Sequence, residues 1–136
     1  MSVIIYIVII SAALLVLTGI LWWKRKEVSK NIVSIQEMYE YYDNGNTRRK
    51  YLYKTVTSSI DGTIINEGID GIEQFFYPSG KLNRENNWKN DQLNGPFIVY
   101  YEDGKVYIKG TYKYNKLSGV YSVFDKGNKV IWTKKY

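Results

Sequence analysis

Glycine recurs at a fixed interval through the second half of the chain. Gly71, Gly95 and Gly119 stand 24 residues apart, Gly80 and Gly104 are also 24 apart, and Gly127 follows after 23. The text around them recurs too, as IEQFFYPSGKL at 72–82, PFIVYYEDGKV at 96–106 and VYSVFDKGNKV at 120–130. A second block repeats as NWKNDQLNG at 87–95 and TYKYNKLSG at 111–119. A degraded earlier copy reads EMYEYYDNGN at 37–46, followed by Tyr53-Lys54, and then takes about eleven extra residues before NEGIDG restores the register at 66–71. A period of this length marks a repeat architecture, in which each unit is too small to bury its own apolar face and must stack on its neighbours.

Each unit reads as a β-hairpin. The run Phe97-Ile98-Val99-Tyr100-Tyr101 is β-branched and aromatic, which suits a pleated surface. Turns are expected around Gly45, Gly80, Gly104 and Gly127, where glycine accepts positive φ. Past the third turn, Val106, Ile108, Gly110, Tyr112 and Tyr114 alternate with Tyr107, Lys109, Thr111 and Lys113. That is a period of two with one apolar and one charged face. Gly110 on the apolar face leaves room for a ring from the neighbouring unit. Gly71, Gly95 and Gly119 mark the links between hairpins.

The unit resembles the variant MORN repeat of bacterial proteins, whose pattern runs aromatic-aromatic-x-x-Gly-Lys, then aromatic-Lys-Asn-Gly-x-Leu-x-Gly. Tyr100-Tyr101-Glu102-Asp103-Gly104-Lys105 and Tyr112-Lys113-Tyr114-Asn115-Lys116-Leu117-Ser118-Gly119 carry it best. Phe76 to Lys81 and Trp88 to Gly95 follow closely. The departure falls at the Asn-Gly of the second turn, where Asp91 and Lys116 stand instead of glycine. The resemblance implies an all-β, elongated and twisted sheet of consecutive antiparallel hairpins over residues 37–136. It also implies a scaffold or binding role, and many bacterial members are labelled antitoxin-type proteins.

The amino-terminal segment is different in kind. Ser2 to Trp23 carries no charged side chain. As a helix it would be roughly 33 Å long, against a hydrocarbon core of about 30 Å. A signal peptide would want a basic start, a shorter apolar run and a small-residue cleavage site. A buried core helix would show a polar face. Residues 1–23 are therefore read as a transmembrane helix and 24–36 as a juxtamembrane linker. Trp22 and Trp23 at headgroup level, followed by Lys24, Arg25 and Lys26, form the expected inner interface. This places the repeat domain on the cytoplasmic side of a cell (inner) membrane, with a single pass. The three basic residues also suit an anionic leaflet, at about 1 kcal/mol each near the surface.

Composition excludes much chemistry. The chain has no Cys and no His, which removes disulfides, thiolate and Ser–His or Cys–His nucleophiles, and the commonest metal ligand. Glu102, Asp103, Asp43, Asp61 and Asp70 neighbour turn glycines, where acidic residues are turn formers first. No phosphate-binding or dinucleotide motif occurs. No catalytic, cofactor or metal site is expected, and the chain reads as a non-enzyme. Its tyrosines are core filler or, where they face outward, a partner platform. Tyr107, Lys109 and Lys113 are the residues assigned to partner binding.

Nucleic acid is disfavoured, because the basic excess is spread among acids and no recognition motif is present. The expected role is a membrane-anchored protein-interaction scaffold, as a small subunit of a membrane complex. An antitoxin or immunity-type inhibitor is the alternative, and a peripheral lipid-binding plate a second one.

Overall fold

The computed structural model describes residues 31–136. The expected membrane helix at 1–23 and its interface residues Trp22 to Lys26 lie outside the described residues. The described residues fall into two compact units, one holding 57–65 and the other residues 33–56 with 66–136. In the first, the described stretch 57–65 makes a turn. There the Ser58 N–H donates to Thr63 O (2.8 Å) and the Gly62 N–H to Ser58 O (3.0 Å).

The strands are β1 (Ile32–Tyr41), β2 (Thr47–Thr57), β3 (Ile64–Phe76), β4 (Leu82–Lys89), β5 (Gln92–Leu93), β6 (Gly95–Tyr100), β7 (Val106–Lys113), β8 (Lys116–Leu117), β9 (Val120–Phe124) and β10 (Val130–Lys135). One sheet holds them in the order β1-β2-β3-β4-β6-β7-β9-β10, with β5 on β4 and β8 on β7. From β3 onward the recorded pairings are antiparallel. The fold is all-β, an open sheet of successive hairpins with no helix among the described residues. β1 begins at Ile32, inside the stretch read as linker. The extra residues after the first copy lengthen β2 and β3 to 11 and 13 residues.

The main hairpin turns share one construction. In the third, the Tyr101 N–H donates to Lys105 O (2.8 Å) and the Gly104 N–H to Tyr101 O (2.9 Å). Gly104 has φ +86°, and the register slips one residue between Val99 and Tyr100. A glycine in the left-handed region beside a one-residue bulge is how a longer hairpin loop keeps its strands twisted together.

The last turn departs from the sequence reading. Gly127 lies inside it, but the positive φ, +61°, belongs to Asn128, whose N–H donates to Asp125 O (3.0 Å). Asn128 stands 24 residues after Gly104, so the period is kept by an asparagine, the next most tolerant residue in this conformation. Gly127 is the neighbour that made the spacing look like 23.

The small hairpins joining β4 to β5 and β7 to β8 have two central residues each. Both are left-handed: Asn90 and Asp91 (φ +49° and +61°), then Tyr114 and Asn115 (φ +49° and +64°). The departure expected at Lys116 is corrected here. Lys116 is already strand, opposite Lys113, and the residue aligned with Asp91 is Asn115.

Two cross-strand rows define the faces, because directly opposed residues project to the same side. On one face Phe75, Arg84, Val99, Ile108, Val123 and Trp132 stand side by side. On the other run Gln74, Glu85, Ile98, Lys109, Ser122 and Thr133. The core lies on the first face. Phe97, 4% exposed, sits over Gly110 and packs on Tyr112 (ring centroids 4.8 Å) and Tyr121 (6.1 Å). A Cβ on Gly110 would stand 2.6 Å from the Phe97 ring. The ring has taken the space that the missing side chain leaves.

Candidate interaction surface

Along β7 the side chains alternate as the hairpin pattern requires. Val106, Ile108 and Tyr112 are half-buried, and Gly110 is buried. Tyr107, Lys109, Thr111 and Lys113 are exposed. The structure thus brings Tyr107, Lys109 and Lys113 onto one side of one strand. Lys109 is flanked by Ile98 of β6 and Ser122 of β9, and Pro96 stands opposite Thr111. Between them a groove follows the strand, with Pro96 and Ile98 on one wall, Ser122 and Phe124 on the other, and Lys109 and Thr111 along its floor.

Tyr107 is not a free-standing ring. Its centroid lies 4.7 Å from that of Tyr101, and the Tyr101 hydroxyl donates to Phe124 O (2.9 Å). The Lys126 ammonium lies 5.7 Å from the Tyr101 ring centre. Burial, then the neighbouring Tyr107, Asp125 and Asp103, raises the Tyr101 pKa, keeping the phenol neutral and able to donate. Truncation of Tyr107 therefore removes a ring pair worth about 0.5–1.5 kcal/mol beyond its area, more than an outward-facing position alone would imply.

Two sets of polar contacts connect neighbouring units, and only their spacing could have announced them. The first residue of a turn donates its phenol to a carbonyl of the next hairpin: Tyr42 to Phe76 O (2.7 Å), Tyr77 to Tyr100 O (2.8 Å) and Tyr101 to Phe124 O. The second central residue of each small turn grips the backbone 22 positions earlier. Asp91 donates its N–H to Ile69 O (2.9 Å) and accepts the Ile69 N–H on Oδ1 (3.1 Å). Asn115 does the same to Leu93, at 2.9 and 2.7 Å.

The largest feature that the residue patterns did not single out is a buried carboxylate. Glu73 is 1% exposed. Its Oε1 accepts Arg49 Nε (2.6 Å), and its Oε2 accepts Asn86 Nδ2 (2.8 Å) and Trp88 Nε1 (2.6 Å). Arg49 also pairs with Glu40 at 2.9 Å. Burial by itself would lower the Arg49 pKa, but the Glu73 and Glu40 carboxylates outweigh it and the net shift is upward. Arg48 and Arg49 hold Glu40 below the usual carboxylate range. Both oxygens of Glu73 are engaged in this scaffolding, and the second acid nearby, Glu40, is tied to the same Arg49 guanidinium.

Four other carboxylates singled out in the sequence have structural duties. Asp61 Oδ1 caps Thr63 (N–H 3.1 Å), Asp70 pairs with Lys54 (3.1 Å), and Asp103 Oδ1 accepts the Lys105 N–H (3.1 Å). Glu102 accepts the Ser79 hydroxyl (2.6 Å). Among the described residues no group of three or more acids is placed to hold a metal ion.

Comparison with known proteins adds one finding. The family model of the MORN repeat variant matches residues 37–55, 69–90 and 93–114, and these stretches carry repeats of that kind. The β9–β10 hairpin continues the same geometry beyond the last match. No curated protein and no solved structure matches the chain.

Proposed function

We propose that this chain is a membrane-tethered scaffold whose repeat array presents the outward side of β7 to a protein partner. The observation that carries this reading is the division of labour in β7. One side supplies the core, while Tyr107, Lys109, Thr111 and Lys113 stand exposed, with Lys109 and Thr111 lining a groove over the middle of the strand. Tyrosine beside an apolar groove is the composition of a binding hot spot. Glu102, Asp103 and Asp61 are held in turns, Asp70 and Glu40 in ion pairs and Glu73 in its buried network, which supports a non-enzymatic role.

The tether is residues 2–23 and the array lies on the cytoplasmic side. This part of the proposal rests on the charge-free span and on Lys24-Arg25-Lys26 after it. An inhibitor of a soluble toxin would need no span, so a subunit of a membrane assembly is the better match.

Crosslinked pull-down of the full-length protein from its native membrane tests the scaffold role. Tyr107→Ala should reduce capture of a partner at least fivefold while leaving the chain folded; undiminished capture would refute the assignment of this face. Topology is tested by Lys126→Cys in this Cys-free chain. The thiol should resist an impermeant reagent in intact cells, and ready labelling would place the array outside.

A further inference from the structure

Charge is distributed unevenly along the array. Residues 92–136 contain eight lysines and three carboxylates. Those three carboxylates are already used: Glu102 by Ser79, Asp103 by the Lys105 backbone, and Asp125 by the Gly127 and Lys129 N–H groups of its own turn. Of the eight lysines, Lys105 donates to Lys126 O (2.6 Å), and Lys126 and Lys134 lie over tyrosine rings. The five ion pairs among the described residues all fall between Glu37 and Glu73. Lys109, Lys113 and Lys116 have no carboxylate partner among the described residues. They share a face, since Lys113 and Lys116 are directly opposed and Lys109, four residues before Lys113, lies on the same side of β7.

Resting on the scaffold reading, we infer that this groove takes an extended acidic segment of a protein partner, with carboxylates four residues apart. The spacing follows from the strand. Lys109 and Lys113 are separated by about 13 Å at about 3.3 Å per residue, the distance between residues i and i+4 of an extended chain. Between the two lysines along β7 lies Thr111, a hydroxyl donor or acceptor for a bound chain. The walls, Pro96 and Ile98 facing Phe124 and the exposed Val120, receive the apolar side chains that alternate with the acids. A flat anionic membrane would meet the lysine tips but leave the walls and floor unused. A nucleic acid would want several stacking rings in the channel, and Phe124 is the one ring in its lining.

The probe is a fluorescein-labelled peptide, Glu-Ser-Val-Ser repeated three times, titrated by anisotropy against full-length protein in nanodiscs of neutral phosphatidylcholine. Controls are the Lys-for-Glu peptide and an isomer with its three glutamates adjacent. Expected results are saturable binding that weakens with salt, preference for the spaced isomer, and about tenfold weaker binding in Lys109→Glu/Lys113→Glu. Thr111→Trp fills the floor without changing charge, and it should block binding equally while the circular-dichroism spectrum stays unchanged. Equal binding of the adjacent-glutamate isomer, undiminished binding in either variant, or tighter binding of phosphatidylserine vesicles or an oligonucleotide that displaces the peptide would each overturn the inference. If the pull-down partner is lost on Tyr107→Ala yet is not displaced by the spaced peptide, the scaffold survives and the acidic-segment inference falls.

Discussion

Removing the Glu73 carboxylate should open the amino-terminal half of the array while the carboxy-terminal hairpins hold. In Glu73→Ala, Arg49 Nε, Asn86 Nδ2 and Trp88 Nε1 lose their acceptor together. Breaking a buried ion pair by deleting one partner costs about 3–5 kcal/mol. Arg49 is 23% exposed and keeps Glu40, which places this case near the lower end, at about 3 kcal/mol. For a domain of this size that is a fall in Tm of about 12 °C or more. Glu73→Gln keeps one acceptor but sets an amide N–H₂ against a donor, for an expected loss of about 1.5–3 kcal/mol.

The assay is a thermal melt of the full-length protein in micelles, with hydrogen exchange read by mass spectrometry. Because repeat stability is nearly one-dimensional, protection should fall in peptides covering 37–55 and 69–90 and persist over 106–124. A Tm change under about 4 °C, or an even loss of protection across both halves, would refute the argument that this network holds its own units together.

Gly104→Val should cost about 1–3 kcal/mol in an equilibrium melt, since φ is +86° with open space around the Cβ, so the strain is backbone alone. Asn128→Gly should cost nothing measurable, because it restores glycine to the left-handed position of the last turn. Asn115→Ala removes the acceptor for the Leu93 N–H and should cost about 1–2 kcal/mol, seen as faster amide exchange at Leu93. Burial and the hydrogen bond to Glu85 push Tyr100 up to about 12. A raised pKa stabilises the protonated form, so this contribution is complete below pH 10 and disappears as pH climbs toward 12. An alkaline melt series should show that component vanish in Tyr100→Phe.

The hairpins were legible in the sequence because glycine and aromatic residues mark them at positions where few alternatives work. Gly45, Gly80 and Gly104 announce their turns, and the alternation in 106–113 gives the faces of β7. Asn128 hid the last turn, since Gly127 beside it looked like the expected residue. Glu73 was hidden for a different reason. In IEQFF a glutamate reads as the outward residue, yet Ile72 is 51% exposed while Glu73 is buried. The signal was in the repeat, where Glu73 aligns with Phe97 and Tyr121, both core rings. Its burial depends on Arg49, 24 residues away in sequence and in a different hairpin, so no local pattern contains it. Of the candidate surface, the exposure of Tyr107, Lys109 and Lys113 could be read from alternation, whereas the groove beside them needs the register of three strands.

Because each phenol and each Asx grip reaches one unit along, the array has interchangeable joints. Excising residues 81–104 would join Gly80 to Lys105, hand the Tyr77 hydroxyl the carbonyl of Phe124, and let Asn115 take the grip on Ile69 that Asp91 now holds. Length in such a chain is therefore inherited in whole 24-residue steps from β3 onward. The stretch between β2 and β3, out of step by its extra residues, is where a duplication or deletion would leave a scar.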